Sequence, residues 1–256
     1  MEKPEVKTIF EQRKDQRIEN AEAKLIIPEW DPKRFFNKFL KDYGSFTAII
    51  QGCRMSGKSN LLKFFLTKAA GGKLIEKFDT ICIFSKTILN GHYQKFIKSK
   101  LMFDEFKPDV LEALKQMHEQ RKKEGKSFRF LVIFDDMITN NIKYQESITS
   151  FFYNSRHYGG SIFFLTQKAS EVATGWRNNT MLFIVLKSMS RKEKKFIAES
   201  IIADAIEAQV PAHISEAELY RIGTRLQTKL LEDYNAIVLT PWCKRKIKQF
   251  KAPCAK

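Results

Sequence analysis

The sequence predicts an α/β fold: a mainly parallel sheet with helices on both faces. Three observations carry that expectation. From residue 46 onward, apolar runs of strand character alternate with segments of helical spacing. Two of the runs, F-R-F-L-V-I-F at 128–134 and S-I-F-F-L-T at 161–166, are almost continuously hydrophobic. Strands covered on both faces need that pattern. A third run, F-T-A-I-I-Q at 46–51, passes through a loop holding two glycines into a helical segment.

In chain order, residues 1–45 read as an N-terminal arm and a packing helix. Residues 1–24 are polar and mixed in charge, suited to an exposed helix or arm. Trp30, Phe35, Phe36, Phe39 and Leu40 form the first apolar cluster, expected on a helix packed against the main domain. Residues 46–241 form the core. Strands are expected at 46–51, 80–84, 128–134, 161–166, 181–186 and 235–239, and helices at 59–68, 108–123, 144–158, 191–202 and 215–231. Gly71 and Gly72 stop the first of these helices. Residues 242–256 are expected as a basic C-terminal tail. Its run C-K-R-K-I-K-Q-F-K offers Lys244, Arg245, Lys246, Lys248 and Lys251 as DNA contacts. A nuclear import signal and a solvated charged tail are the alternatives.

The chain of 256 residues is 43% hydrophobic, the composition of a folded domain. Lys and Arg number 45 against 29 Asp and Glu, a net charge of +16, which implies a polyanionic partner. A lysine-rich, AT-biased genome is the other source of such a surplus. Cys53, Cys82, Cys243 and Cys254 show neither C-x-x-C spacing nor a neighbouring histidine pair, so neither a zinc site nor a disulfide framework is expected. The charged N-terminus lacks the apolar stretch of a secretory signal, and no segment approaches the ~20 apolar residues of a membrane span.

Residues 52–59 read G-C-R-M-S-G-K-S, a complete phosphate-binding loop between strand and helix. Gly52, Cys53, Arg54, Met55, Ser56, Gly57, Lys58, Ser59 and Asn60 are the expected nucleotide-binding residues, and ATP with Mg²⁺ the expected ligands. Gly52 and Gly57 are expected to supply backbone angles closed to other residues. Amide N–H groups and the following helix N-terminus then face the phosphates. Lys58 is expected to reach the β- and γ-phosphates, and Ser59 to ligate Mg²⁺.

The strand at 130–134 runs into Asp135 and Asp136. Two carboxylates at a buried strand end are costly unless they bind something. Asp135 is expected to hold Mg²⁺ through its hydration shell, and Asp136 to orient or deprotonate the attacking water. A capping carboxylate without chemistry is the alternative. The strand 161–166 ends on Gln167, where a polar side chain stands beside the γ-phosphate in ATPases with an extra strand between loop and acidic strands. No N-K-x-D guanine motif, L-S-G-G-Q signature or D-E-A-D box is present, which sets aside GTPases, transporters and ordinary helicases.

Phosphate loop, Asp-Asp strand, Asn154-Ser155-Arg156-His157, Gln167 eleven residues after Arg156, and Arg177-Asn178-Asn179 together resemble the FtsK/HerA superfamily. Within it the series is similar to the genome-packaging ATPases of large eukaryotic DNA viruses and their relatives, virophages included. The resemblance covers roughly residues 46–190. It implies a RecA-like P-loop (additional-strand) ATPase, a homo-oligomeric ring around double-stranded DNA, and ATP-driven translocation into a capsid at a vertex. It implies a place in the virion or the cytoplasmic viral factory. It also implies that Gln167 senses the γ-phosphate and that Arg156 reaches a neighbouring subunit's nucleotide. The chain departs from many cellular members in carrying Asp136 where they carry Glu, one methylene longer. A cellular or plasmid DNA pump of the same superfamily, or a nucleotide-dependent scaffold with little turnover, stands as the alternative.

Overall fold

The computed structural model describes residues 9–137, 142, 145–232, 235–241 and 246–251. Its strands are β1 (Thr47–Gln51), β2 (Thr80–Ser85), β3 (Leu101–Phe103), β4 (Phe130–Asp135), β5 (Gly160–Thr166), β6 (Leu182–Val185), β7 (Asn235–Leu239) and β8 (Ile247–Lys251). They make one sheet in the order β3-β2-β4-β5-β1-β6-β7-β8. Pairings from β3 through β6 are parallel. β7 is antiparallel to β6 and β8 antiparallel to β7. β5 lies between the phosphate-loop strand β1 and the acidic strand β4, the extra strand that the Gln167 position predicts.

Alternation along the strands sends two sets of side chains to opposite faces. On one face Leu131, Ile133, Phe163 and Leu165 meet α2 (Pro32–Asp42) and α3 (Lys58–Lys68). On the other, Phe130, Val132, Phe134, Ile162 and Phe164 meet α4 (Pro108–Lys123), α5 (Glu146–Asn154), α6 (Thr174–Asn178), α7 (Arg191–Ile197), α8 (Ala203–Ile206) and α9 (Glu216–Leu230). Burial on both faces explains why the central strands read as unbroken apolar runs.

α1 (Ile9–Ala23) is docked by Ile18 and Ala21, which are buried in the second cluster. Arg17 pairs with Glu218, and Arg221 and Arg225 of α9 pair with Asp15, Glu19 and Glu22. The helix expected at 144–158 is α over Glu146–Asn154 and tightens to a 3₁₀ turn over Ser155–Tyr158. The one expected at 191–202 widens into a π turn at Ala198–Ile202 and continues as α8.

Two strands were not foreseen. β3 has only three residues, in a charged surround. β8 occupies part of the expected basic tail: Ile247–Lys251 pair with β7, and Phe250 packs on Trp30, Phe64 and Phe65. Ile247 is fully buried, so the strand is held by apolar packing that the flanking lysines disguise. Lys246 and Lys251 are exposed at opposite ends of β8, and Lys248 is half-buried. Lys244 and Arg245 lie outside the described residues.

Candidate active site

Strand register assembles the site. Gln51 of β1 stands opposite Thr166 of β5, and Asp135 of β4 opposite Leu165. The residues that leave these tips, Gly52, Gln167 and Asp136, therefore emerge side by side. Gln51 Nε2 donates to the Gln167 carbonyl at 3.2 Å, and the Gly52 N–H donates to the Thr166 carbonyl at 3.1 Å.

The loop leaves β1 at Gly52, and α3 begins at Lys58. Gly57 has φ +92, in the left-handed region, as expected of it. Gly52 does not. Its glycine is required for space: a Cβ there would lie 2.3 Å from Ser56 Oγ and 2.8 Å from Leu186 Cβ. Met55 at the tip also has positive φ and is 95% exposed. Lys58 is buried, and its Nζ donates to the carbonyls of Gly52 at 2.8 Å and Cys53 at 3.1 Å. The cation thus lies across the floor of its own loop. Ser56 Oγ is buried without a partner among the described residues.

Asp135 is buried, and its Oδ2 accepts a 2.6 Å hydrogen bond from the Tyr93 hydroxyl. Burial pushes its pKa up, and the adjacent Asp136 charge adds to the rise. The Tyr93 hydrogen bond, Lys58 and His92 oppose it. The Tyr93 hydroxyl is driven strongly upward by burial and by the same carboxylate, so it remains a donor. Asp136 is exposed with φ +53, an uncommon backbone for a residue with a side chain. Its Oδ2 accepts from Gln167 Nε2 at 3.2 Å, which ties the second acid to the strand-tip glutamine.

Lys58, Asp135, Asp136 and Gln167 come together at this edge, with Ser59 and Asn60 on the first turn of α3. Arg156 does not join them. It is exposed on the 3₁₀ turn before β5, at the opposite edge of the sheet. The length of β5, at roughly 3.3 Å per residue, separates it from its own phosphate loop by about 20 Å. Arg177 and Asn179 are internal braces. Arg177 Nη1 donates to the Val172 and Ala169 carbonyls, and Asn179 Nδ2 to that of Gly175.

Sequence reasoning missed Tyr93, His92, Gln51 and Glu193. Tyr93 and His92 sit in a loop whose sequence carries no motif. His92 Nε2 is buried without a partner among the described residues, and burial lowers its pKa. Glu193 lies in a run that reads as a charged surface helix, R-K-E-K-K, yet it is buried. A lone acid among four cations was the available signal.

A family model described as Poxvirus A32 protein matches residues 32–204. The chain belongs to this family. The matched range includes every residue of the candidate site described above, from the phosphate loop to Arg177. Among solved structures this A32-family chain is similar to the genome packaging NTPase B204 from Sulfolobus turreted icosahedral virus 2 in complex with AMPPCP. The TM-score is 0.57 at 19% identity, over 83% of this chain and 100% of that one. It is similar to B204, the DNA-packaging ATPase from Sulfolobus turreted icosahedral virus (TM-score 0.55, 18% identity, 82% of this chain and 98% of that). EssC (ATPases 2 and 3) from Geobacillus thermodenitrificans also matches, at TM-score 0.53 and 15% identity, over 82% of this chain and 40% of that one. At these identities the likeness is one of fold. No curated protein matches.

The residues present fit a nucleoside triphosphate and Mg²⁺. The space kept open at Gly52, the unpartnered Ser56 hydroxyl and a lysine satisfied only by loop carbonyls make a cradle for phosphate oxygens. No group of three or more His, Cys, Asp or Glu could hold a metal among the described residues. The donors at hand are Ser59 and Asp135. One hydroxyl, one carboxylate, waters and substrate phosphates suit Mg²⁺, which rarely takes an all-protein cage.

Proposed function

We propose that this chain hydrolyses ATP to drive double-stranded DNA into a viral capsid, working as one subunit of a homo-oligomeric ring. That it is an ATPase of the viral genome-packaging kind follows from its family. The observation that carries the rest is the meeting of Lys58, Asp135, Asp136 and Gln167 along one line of strand tips.

In this reading Lys58 leaves the loop carbonyls for the β- and γ-phosphates, and the loop amides bind the same oxygens. Ser59 and Asp135 hold Mg²⁺, which when bound neutralises charge on the phosphates. Asp136 accepts the proton of the attacking water as its oxygen bonds to the γ-phosphorus and the bond to the ADP oxygen breaks. Gln167, already bonded to Asp136, orients that water and registers loss of the phosphate. Arg156 serves a neighbouring subunit's nucleotide. The +16 charge supports a polyanionic partner, and a capsid vertex and the viral factory are the places such a motor would work. No described helix is long and apolar enough to cross a membrane.

Steady-state ATPase assays with and without duplex DNA test this. Turnover should rise with DNA in the wild type. Lys58→Ala should lose on the order of a hundredfold or more while remaining folded. Near-normal turnover in folded Lys58→Ala would overturn the site. Turnover indifferent to DNA, in a protein that does not bind it, would overturn the motor.

A further inference from the structure

We propose that the outer face of the segment 187–195 is the surface that grips the phosphate backbone of duplex DNA. The proposal rests on the motor reading above and names its contact. The segment begins where β6 ends, on the catalytic edge. The Leu186 N–H donates to the Gln51 carbonyl at 2.7 Å, and the Lys187 carbonyl accepts from the Cys53 N–H at 2.9 Å. It is therefore bonded directly to the base of the phosphate loop.

Its second attachment is to the loop that follows Gln167. Ser190 caps α7 by accepting the Glu193 N–H at 3.4 Å. Glu193 is only 2% exposed and turns inward. Its Oε1 accepts from the N–H groups of Ala169 and Ser170, and its Oε2 from the Ser170 hydroxyl at 2.7 Å. Arg177 completes the block. It donates to the Ala169 and Val172 carbonyls and lies over the Phe196 ring at 5.0 Å. One short segment thus touches both the loop that would bind the nucleotide and the loop that would sense hydrolysis.

The outward side carries Lys187, Arg191, Lys192, Lys194 and Lys195, all exposed. The one carboxylate within the segment, Glu193, is spent on the interior. Lys195 reaches Glu199 at 3.7 Å. Among the described residues no carboxylate pairs with Arg191, Lys192 or Lys194. Uncompensated cations with no amide side chain among them suit phosphate contacts and not base readout. Two other nine-residue stretches, 121–129 and 243–251, also carry five cations each, but among the described residues no backbone hydrogen bond joins either to the nucleotide loops. Arg121 and Lys126 share Glu124, and Lys246 and Lys251 are separated by the length of β8. A duplex held on 187–195 would feel the state of both nucleotide loops through bonds that already exist.

The test is the triple neutralisation R191Q/K192Q/K194Q, read by fluorescence anisotropy with labelled duplex DNA across a salt series. At about 0.9 per phosphate contact, the slope of log affinity against log salt should fall by about 2.7. Affinity at 0.1 M salt should fall on the order of a hundredfold. ATPase without DNA should match wild type, and DNA stimulation should be lost. The single reversal Lys192→Glu, less demanding on the fold, should weaken binding in the same direction. If either variant keeps wild-type basal ATPase, affinity and salt slope, the surface assignment is wrong. If neutralisation instead abolishes assembly and leaves DNA binding intact, the segment is a subunit contact and the proposal falls. Failure of the wild type itself to bind duplex DNA would fell the motor reading, a different result from either.

Discussion

Replacing Tyr93 with Phe removes a single oxygen from the acidic centre and leaves the packing of the ring in place. That oxygen is the donor of the 2.6 Å hydrogen bond to Asp135 Oδ2, in a spot where tyrosine is 1% and aspartate 5% exposed. A hydrogen bond to a charged group contributes about 1.5–3 kcal/mol, and partners that orient a metal-binding carboxylate are typically worth about 10–100-fold in metal affinity. The Mg²⁺ concentration giving half-maximal ATPase should therefore rise roughly tenfold or more, with rate partly restored at high Mg²⁺. The same midpoint should shift when Mg²⁺-dependent binding of a fluorescent nucleotide is read without turnover. The pH profile gives a second readout. Burial raises the Asp135 pKa and the Tyr93 hydrogen bond is the largest influence lowering it. Losing that bond raises the pKa further, so the acid limb of the rate should move to higher pH. An unchanged Mg²⁺ midpoint together with an unchanged acid limb would mean that Tyr93 does not orient Asp135 for the metal.

Glu193→Gln should keep duplex binding and basal ATPase but lose about fivefold or more of the DNA stimulation, the scale of a coupling energy of roughly 1 kcal/mol. Stimulation equal to wild type would show that Glu193 braces the fold without transmitting anything. Arg156→Ala and Lys58→Ala subunits, each inactive alone, should partly regain ATPase when mixed, because some junctions then pair an intact loop with an intact neighbouring arginine. No recovery in mixtures that demonstrably assemble would remove the trans role.

The sheet was legible because burial leaves a direct trace in sequence. A strand covered on both faces has little polar character to show, so the strands expected at 128–134 and 161–166 fall within two residues of Phe130–Asp135 and Gly160–Thr166. The phosphate loop was equally plain, since its backbone geometry demands glycine at Gly57 and its chemistry demands lysine at Lys58. The reason for Gly52 was not legible. Space against Ser56 and Leu186 is a tertiary fact, whereas φ is a local one. β8 was misread because Lys248 and Lys251, with Lys246 just before the strand, hide the packing that Ile247 and Phe250 provide. Tyr93 was invisible for a further reason. Its role depends on β2 pairing with β4, which carries the residues after β2 to the tip of the acidic strand. Nothing within forty residues of Asp135 announces a hydroxyl aimed at it.

On the proposed trans role, the position of Arg156 constrains how subunits would meet. It stands where β5 begins, and the phosphate loop stands where β1 ends, on strands that run parallel. A neighbour offering its Arg156 to this loop must bring its strand-start edge against this chain's strand-end edge. Two different surfaces then meet, so the contact is heterologous and must either close into a ring or extend into a filament. The catalytic edge cannot be wholly covered by that neighbour. Arg156 approaching the exposed cations of α7 would meet repulsion, whereas beside Asp135 and Asp136 it would meet opposite charge. The edge therefore divides. In the proposed ring, Met55, 95% exposed at the loop tip, and the strand tips bearing Asp136 and Gln167 would face the neighbour. Lys187 and α7 would stay outside the contact, facing the space the proposed ring encloses. On that division ATP would be hydrolysed between subunits and DNA gripped beside the junction, with Glu193 joining the DNA segment to the loop after Gln167 through its bonds to Ala169 and Ser170.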